Sequence, residues 1–331
     1  MVSFLRKIVF LTITFSSSSL LSQSAFCKID SFFIPQNEFS STRFYSALGI
    51  GGVIYGSGTY FLYDSWYKDN GVGRFHRFDD RGEWLHMDKV GHVYTAFNQS
   101  SIMYSGARWT GLNENKSLIF GVTMGLLLQT TVEILDGFSD KWGFSWSDMT
   151  ANVGGASLFY LQRKAWGEER ISFKVSSYKR QYSKALIYNS VGKGSVTLDD
   201  RANDLFGSTF AQRYLKDYNA QTYWLSFNLK SFFRDSNVPA WLNIAVGYSG
   251  ENMYGGFSND WVPKSGERFY LPSKYDRYAQ FLIAPDIDLT KIKTNSHFLK
   301  TLFKGLNIFK MPTPALEINT KGELVFHLLY K

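Results

Sequence analysis

The chain has 331 residues, a formal charge of +8, and 29 Phe, 20 Tyr and 9 Trp beside a slightly negative mean hydropathy of −0.18. That length holds one large domain or two ordinary ones. High aromatic content at near-neutral hydropathy excludes a transporter that is apolar throughout. The longest basic cluster, SYKRQYSK at 177–184, is too short to make nucleic acid the expected partner.

Residues 1–24 read as a secretory signal. Arg6 and Lys7 precede an apolar run from Ile8 to Phe15 and a serine-rich tract, with Ser22 and Ser24 at the small-residue positions for cleavage before Ala25. Losing Arg6 and Lys7 lowers the charge from +8 to +6, a modest excess that suits anionic lipid headgroups. Cys27 is the single cysteine and has no internal disulfide partner, so in an oxidising compartment it is exposed, paired with another chain or lipid-modified. Its context, SAFC, lacks the leucine usual three residues before a lipidated cysteine.

No charge falls between Arg43 and Asp64, a stretch long enough to cross a membrane as a helix. Its small residues (Ala47, Gly49, Gly51, Gly52, Gly56 and Gly58) are expected to permit close helix contact, in a membrane or in a soluble bundle. Turn signals at Asp69-Asn70-Gly71 and Asp80-Arg81-Gly82 mark a polar connection. The spacing then predicts helices over 87–107, 115–135 and 147–163, with Ser147 as N-cap of the last and Gly111 and Gly137 ending its predecessors. Short loops make these helices antiparallel neighbours.

Beyond Trp166 the period changes to two. Phe173 and Val175, then Tyr223, Leu225, Phe227 and Leu229, then Leu242, Ile244, Val246 and Tyr248 alternate, followed by Tyr278, Gln280, Leu282 and Ala284. A hairpin around Thr320-Lys321-Gly322 ends the chain. Residues 247–267 form a glycine-bearing excursion suited to recognition. Residues 289–310 bring Leu299, Leu302, Phe303 and Leu306 together at helical spacing, for a membrane surface or one end of a sheet. The expected fold is α+β and membrane-associated. A four-helix unit (40–166) packs with an antiparallel β-rich part (167–331), either a small sheet or an incomplete barrel.

The chemistry concentrates between Trp84 and Gly155. Asp88 and Lys89 share a helical face with His92, four and three residues on. Gln129, Glu133 and Asp136 recur at steps of four and three, and Asp148 stands four before Asn152. Carboxylates among apolar residues are expensive to bury singly, so these stripes are expected to share one pocket. Three uses are open. Glu133, Asp136, Asp148 and His92 hold a divalent ion near a phosphorylated headgroup. Alternatively, His92 is a general base oriented by Asp88, with an acidic partner among Glu133 and Asp148. Or the polar residues only fix the register of the helices; for a bound ligand or cofactor, Lys89, Asp136 and Asn152 are the candidate holding residues. No P-loop, HExxH, GxSxG or dinucleotide fingerprint occurs, and no cofactor is indicated.

The same residues carry a resemblance. MDKVGHVYTAF, then Glu133-x-x-Asp136-Gly137, then Ser147-Asp148-x-x-x-Asn152-x-Gly154-Gly155 resemble the YfiM-like domain of unknown function, found in predicted periplasmic lipoproteins and in longer envelope proteins. YNAQTYWLS at 218–226, WLNIAVGYSG at 241–250 and PALE near 314 fit the longer form. A weaker similarity links Asp88, Lys89, His92, Glu133, Asp148, Asn152 and Gly155 to VanZ-like membrane proteins, which have four short hydrophobic helices. The resemblance implies a cell-envelope location, at the outer membrane or its periplasmic face. It implies no established activity; the polar residues themselves suggest a structural or lipid- or ligand-binding role, with a lipid or cell-wall precursor-modifying enzyme as the alternative. Membrane lipid and an envelope assembly are the expected partners.

Overall fold

The computed structural model describes residues 27–68, 71–192, 194–263 and 266–330. The expected secretory signal and the Asp69-Asn70 part of the first turn lie outside them. The charge-free stretch forms helix α1, Ser41–Leu62, capped by Ser40 Oγ, which accepts from the Arg43 amide at 3.3 Å. No residue of α1 is buried. It touches its neighbours through Tyr55, whose hydroxyl pairs with Thr131 at 2.8 Å, and through the Phe44 and Phe120 rings. The expectation that Gly49, Gly51, Gly52, Gly56 and Gly58 bring helices together does not hold. A Cβ at any of them would meet open space, because α1 lies at the periphery.

Close approach occurs instead within a trio of helices, α2 (Met87–Trp109), α3 (Glu114–Phe138) and α4 (Trp146–Trp166). Helix α2 lies between the other two. A Cβ at Gly121 would come within 2.6 Å of the Ser100 carbonyl, and one at Gly155 would collide with the Val93 carbonyl. Missing side chains thus let the backbones of α3 and α4 rest on α2. The ends differ from the sequence expectation in two ways. Ser145 rather than Ser147 caps α4, accepting from the Asp148 amide at 3.0 Å, which leaves Ser147 free to bond elsewhere. Gly137 lies inside α3, where a Cβ would strike the Phe75 ring, so it is a contact glycine and not a helix terminator. Gly111 does end α2, with φ at 88°.

The remaining chain adds strands β1 (Ile171–Ser177), β2 (Leu186–Tyr188) and β3 (Ser195–Thr197), then helices α5 (Leu198–Phe206) and α6 (Phe210–Lys216). Strand β4 (Gln221–Asn228), the short helix α7 (Leu229–Phe232) and strands β5 (Leu242–Glu251), β6 (Asp260–Trp261), β7 (Phe269–Tyr270) and β8 (Tyr278–Ile287) follow. Helix α8 (His297–Leu306) and strands β9 (Thr313–Asn319) and β10 (Leu324–Tyr330) complete it. Six strands form one antiparallel sheet in the order β1-β4-β5-β8-β9-β10, with no closed barrel among the described residues. Leu229, expected to continue the alternation of β4, starts α7 instead, because Asn228 caps that turn by accepting from the Ser231 amide. The 247–267 excursion belongs to β5 as far as Glu251. The pairs β2-β3 and β6-β7, which the sequence pattern did not reveal, form two small sheets.

The polarity of the large sheet is inverted. One set of alternating positions makes two apolar rows across four strands: Val246-Ile283-Leu316-Phe326 and Tyr248-Phe281-Ile318-Leu324. Most of these side chains are exposed, Phe326 at 67% and Ile318 at 57%. The opposite set is buried and mixes a small apolar cluster, Trp224, Ala245, Leu282, Ala284 and Ala315, with an unusually large polar share. Lys174 pairs with Asp286 at 2.7 Å with neither side chain accessible, and Ser226, Asn243 and Asn228 extend that network. His327, which reads as an ordinary strand residue, pairs on the same side of the sheet with Glu317 at 2.7 Å. The sheet curls enough for Tyr330 on its last strand to reach Trp224 and Thr222 on its second. Among the described residues the apolar face is covered at β1, at β4 and at Tyr248 of β5. There Phe173, Val175 and Tyr223 share a core with Met87, Phe97, Tyr104, Leu118 and Phe159 of the helices.

Candidate functional site: a polar centre between three helices

The turn before α2 sets the site. Trp84, Leu85 and His86 have φ of 50°, 53° and 64°, a left-handed run without glycine, each residue costing about 1–2 kcal/mol. Tertiary contacts impose it. The Trp84 amide donates to the Gly256 carbonyl at 2.7 Å, Tyr248 Oη donates to the Leu85 carbonyl at 2.5 Å, and the Trp84 ring packs on Phe206 and Tyr218. The run turns the first face of α2, carrying Asp88, Lys89 and His92, toward α3 and α4.

Lys89 Nζ lies 2.6 Å from Asp80 Oδ2, 2.6 Å from Asp148 Oδ1 and 2.8 Å from Asp88 Oδ2. Asp80 Oδ1 also accepts from Ser145 Oγ at 2.7 Å and Ser147 Oγ at 2.5 Å. Burial pushes the Asp80 carboxyl up. Hydrogen bonds from Asp148, Lys89, Ser147 and Ser145 outweigh it and hold the group well below the usual carboxylate range. His92 Nδ1 sits 3.0 Å from Asn152 Oδ1, while Nε2 faces Glu133 Oε1 at 3.6 Å and Asp88 Oδ1 and Asp148 Oδ1 at 3.7 Å each. Glu133 Oε2 accepts the Ser145 amide at 3.2 Å, and Asp88 Oδ1 accepts from Tyr218 Oη at 2.7 Å.

The helix trio therefore brings Asp88, Lys89, His92, Glu133, Asp148 and Asn152 together, as their spacing predicts. Asp136, one turn further along α3 than Glu133, accepts from the Tyr67 hydroxyl at 2.7 Å. Gly155 matters to this geometry. It shares a face with Asn152 on α4 and rests against Val93, the residue after His92, which fixes how near Asn152 comes to the imidazole.

Sequence reasoning missed Asp80, Ser145, Tyr67 and Tyr218. Asp80 was legible only as a turn residue, and Tyr218 opens the YNAQTYWLS segment. Of that segment, Asn219 binds the Met253 backbone and Trp224 belongs to the polar side of the sheet, so neither forms a rim at this centre. Glu83 stands nearby. Burial, together with the charges of Asp88 and Asp80, raises its carboxyl to about 7 against the opposing pull of Lys89 and Arg277.

Chemically the centre can hold a cation, relay a proton through His92, or fix the helix register. Glu133 and Asn152 are fully buried, while the His92, Asp88 and Lys89 side chains keep 14%, 17% and 14% of their surface, so solvent reaches one side. A separate cavity of roughly 190 Å³ lies between α2 and α8, lined in part by Phe97, Ser101, Glu169 and Lys304. Its charges are already paired, Glu169 with Ser101 Oγ at 3.0 Å and with Lys304 at 3.3 Å.

No curated protein and no solved structure matches the chain. Every residue of the centre except Tyr67 and Tyr218 falls within one matched segment: residues 76–164 match the profile of a family described as predicted periplasmic lipoprotein (DUF2279), a family without an assigned activity.

Proposed function

We propose that the protein is an envelope component seated against lipid at the outer membrane or its periplasmic face, with the His92 centre as its binding pocket. The inverted sheet carries this reading. An antiparallel sheet in water turns its apolar face to a core and its polar face to solvent. Here the polar set is buried and the apolar rows lie outside, the arrangement of strands that face hydrocarbon. The helices agree. Helix α1 buries nothing, and Ile119, Leu127 and Ile134 of α3 point outward at 62%, 49% and 45% exposure, while Gln129 and Glu133 point inward. Helix α3 is also the one described helix long and apolar enough to cross a membrane.

Lipid-vesicle flotation tests the reading. Wild-type protein is expected to float with vesicles and to need detergent in their absence. Phe281→Lys with Ile318→Lys places two ammoniums in adjacent strands of one apolar row, at about 2–4 kcal/mol each if the row lies at mid-bilayer, and is expected to abolish flotation. A wild-type protein that stays monodisperse without detergent and ignores vesicles would overturn it. The enzymatic alternative draws on one observation, the imidazole held by Asn152 with buried Glu133 beside it. Retained turnover of labelled lipid-linked precursors in a folded His92→Ala variant would rule that reading out.

A further inference from the structure

Four carboxyl groups, Asp80, Asp88, Glu133 and Asp148, gather about a single ammonium, Lys89, and the His92 imidazole. Lys89 reaches Asp80 Oδ2, Asp88 Oδ2 and Asp148 Oδ1, so that last oxygen faces both the ammonium and His92 Nε2. The ammonium does not serve Glu133. Among the described residues Glu133 Oε1 has no hydrogen-bond donor, although the side chain is 1% exposed, and it is aimed at His92 Nε2. A buried carboxylate oxygen left so is expensive.

The imidazole compounds the problem. Asn152 Oδ1 accepts a hydrogen bond at Nδ1, which aims Nε2 at three carboxylate oxygens. One ring nitrogen and three carboxylate oxygens converging on one point are a donor set for a cation. The separations of 3.6–3.7 Å exceed the ~2.7–3.2 Å of a direct hydrogen bond. Two ligands at about 2.0–2.2 Å from a tetrahedral zinc ion stand about 3.4 Å apart, close to what is observed. Asp88, His92 and Asp148 each offer one ligand atom, all within 4.8 Å of one another.

We propose that this centre binds one divalent cation through His92 Nε2, Asp88 Oδ1 and Asp148 Oδ1, with Glu133 Oε1 facing the fourth position. One imidazole with carboxylate oxygens suits Zn²⁺ or Mn²⁺. Asn152 orients the imidazole from behind, the usual outer-shell device for a metal-bound histidine, and Tyr218 does the same for Asp88. The partly exposed His92 and Asp88 side chains provide the way in. The inference is independent of the lipid reading, since it rests on the polar centre and not on the exposed apolar faces.

The test uses full-length protein in detergent, stripped with a chelator and titrated calorimetrically with ZnCl₂ and with MnCl₂. One ion per chain is expected for at least one of the two metals. His92→Ala and Asp148→Asn should each weaken it at least tenfold. Glu133→Gln keeps the Ser145 contact and the helix packing, so it should weaken binding in a protein whose melting profile without metal is undiminished. Two results would overturn the proposal: no binding of either ion by wild type at millimolar concentration, or binding that His92→Ala and Glu133→Gln leave unchanged.

Discussion

Asp286→Asn is the sharpest probe of the inverted sheet, because the two ends of its ion pair are not equivalent. Lys174 Nζ has Asp286 Oδ2 at 2.7 Å and the Ile287 carbonyl at 2.8 Å, and neither partner side chain of the pair has any accessible surface. Lys310 lies 3.7 Å from the other carboxylate oxygen. Removing the carboxylate charge therefore strands two ammoniums, whereas Lys174→Met leaves Asp286 with Lys310 and the Ser226 hydroxyl. Breaking a buried pair by deleting one member costs about 3–5 kcal/mol. Asp286→Asn should sit at or above the top of that range and Lys174→Met near about 2 kcal/mol. Adding Lys174→Met to Asp286→Asn should recover stability, with a coupling of about 2–3 kcal/mol. Equilibrium unfolding by denaturant in a fixed detergent, followed by tryptophan fluorescence, measures all three. If both single variants fall within 1 kcal/mol of wild type, the polar interior is not the buried network described, and water reaches it.

Glycine swaps separate contact from periphery. Gly155→Ala drives a methyl into the Val93 carbonyl and is expected to cost about 1–3 kcal/mol in thermal unfolding, while Gly52→Ala in open space should be neutral or stabilising by about 0.5–1 kcal/mol. Equal effects would refute the assignment of α4 as the close-packed helix. Glu83 predicts a pH dependence. Between its ordinary value of 4.5 and about 7 the folded chain keeps a proton that the unfolded chain has lost, so stability falls as pH rises through that window. Glu83→Gln should flatten that slope and gain on the order of 1–2 kcal/mol at pH 8, after allowance for partial solvent screening. An unchanged slope between pH 5 and 8 would show that Glu83 titrates normally.

Much of the fold was legible because periodicity survives in sequence. The last three helices, the strands through Val175, Tyr223, Ile244 and Leu282, and the final hairpin follow from spacing alone. The cluster of Asp88, His92, Glu133, Asp148 and Asn152 was legible for the same reason, since residues four apart share a helix face. Two things were not. A period of two says that Ile283 and Leu282 face opposite ways, but it is symmetric to exchange of the faces, so it does not say which set is inside. The close contacts of glycines were equally hidden. Gly52 and Gly155 look alike in sequence, and only the arrangement of helices gives one of them a neighbour. Asp80 and Tyr218 reach the site from outside the helix trio, where no spacing rule connects them to His92.

Strand β1 bonds on one side to β4 and on the other to the backbone at 308–310, where the Val175 amide donates to the Ile308 carbonyl and the Lys310 amide to the Val175 carbonyl, each at 2.9 Å. The first strand of the sheet thus obtains its second partner only when a late portion of the polypeptide arrives. A chain emerging from an export channel, amino end first, would have the helices and β1 outside long before that partner. The β1 edge would remain open, available to chaperones or to mispairing, throughout that interval. Completion of the sheet is in this sense a delayed seam, closed by a segment that also leads into β9.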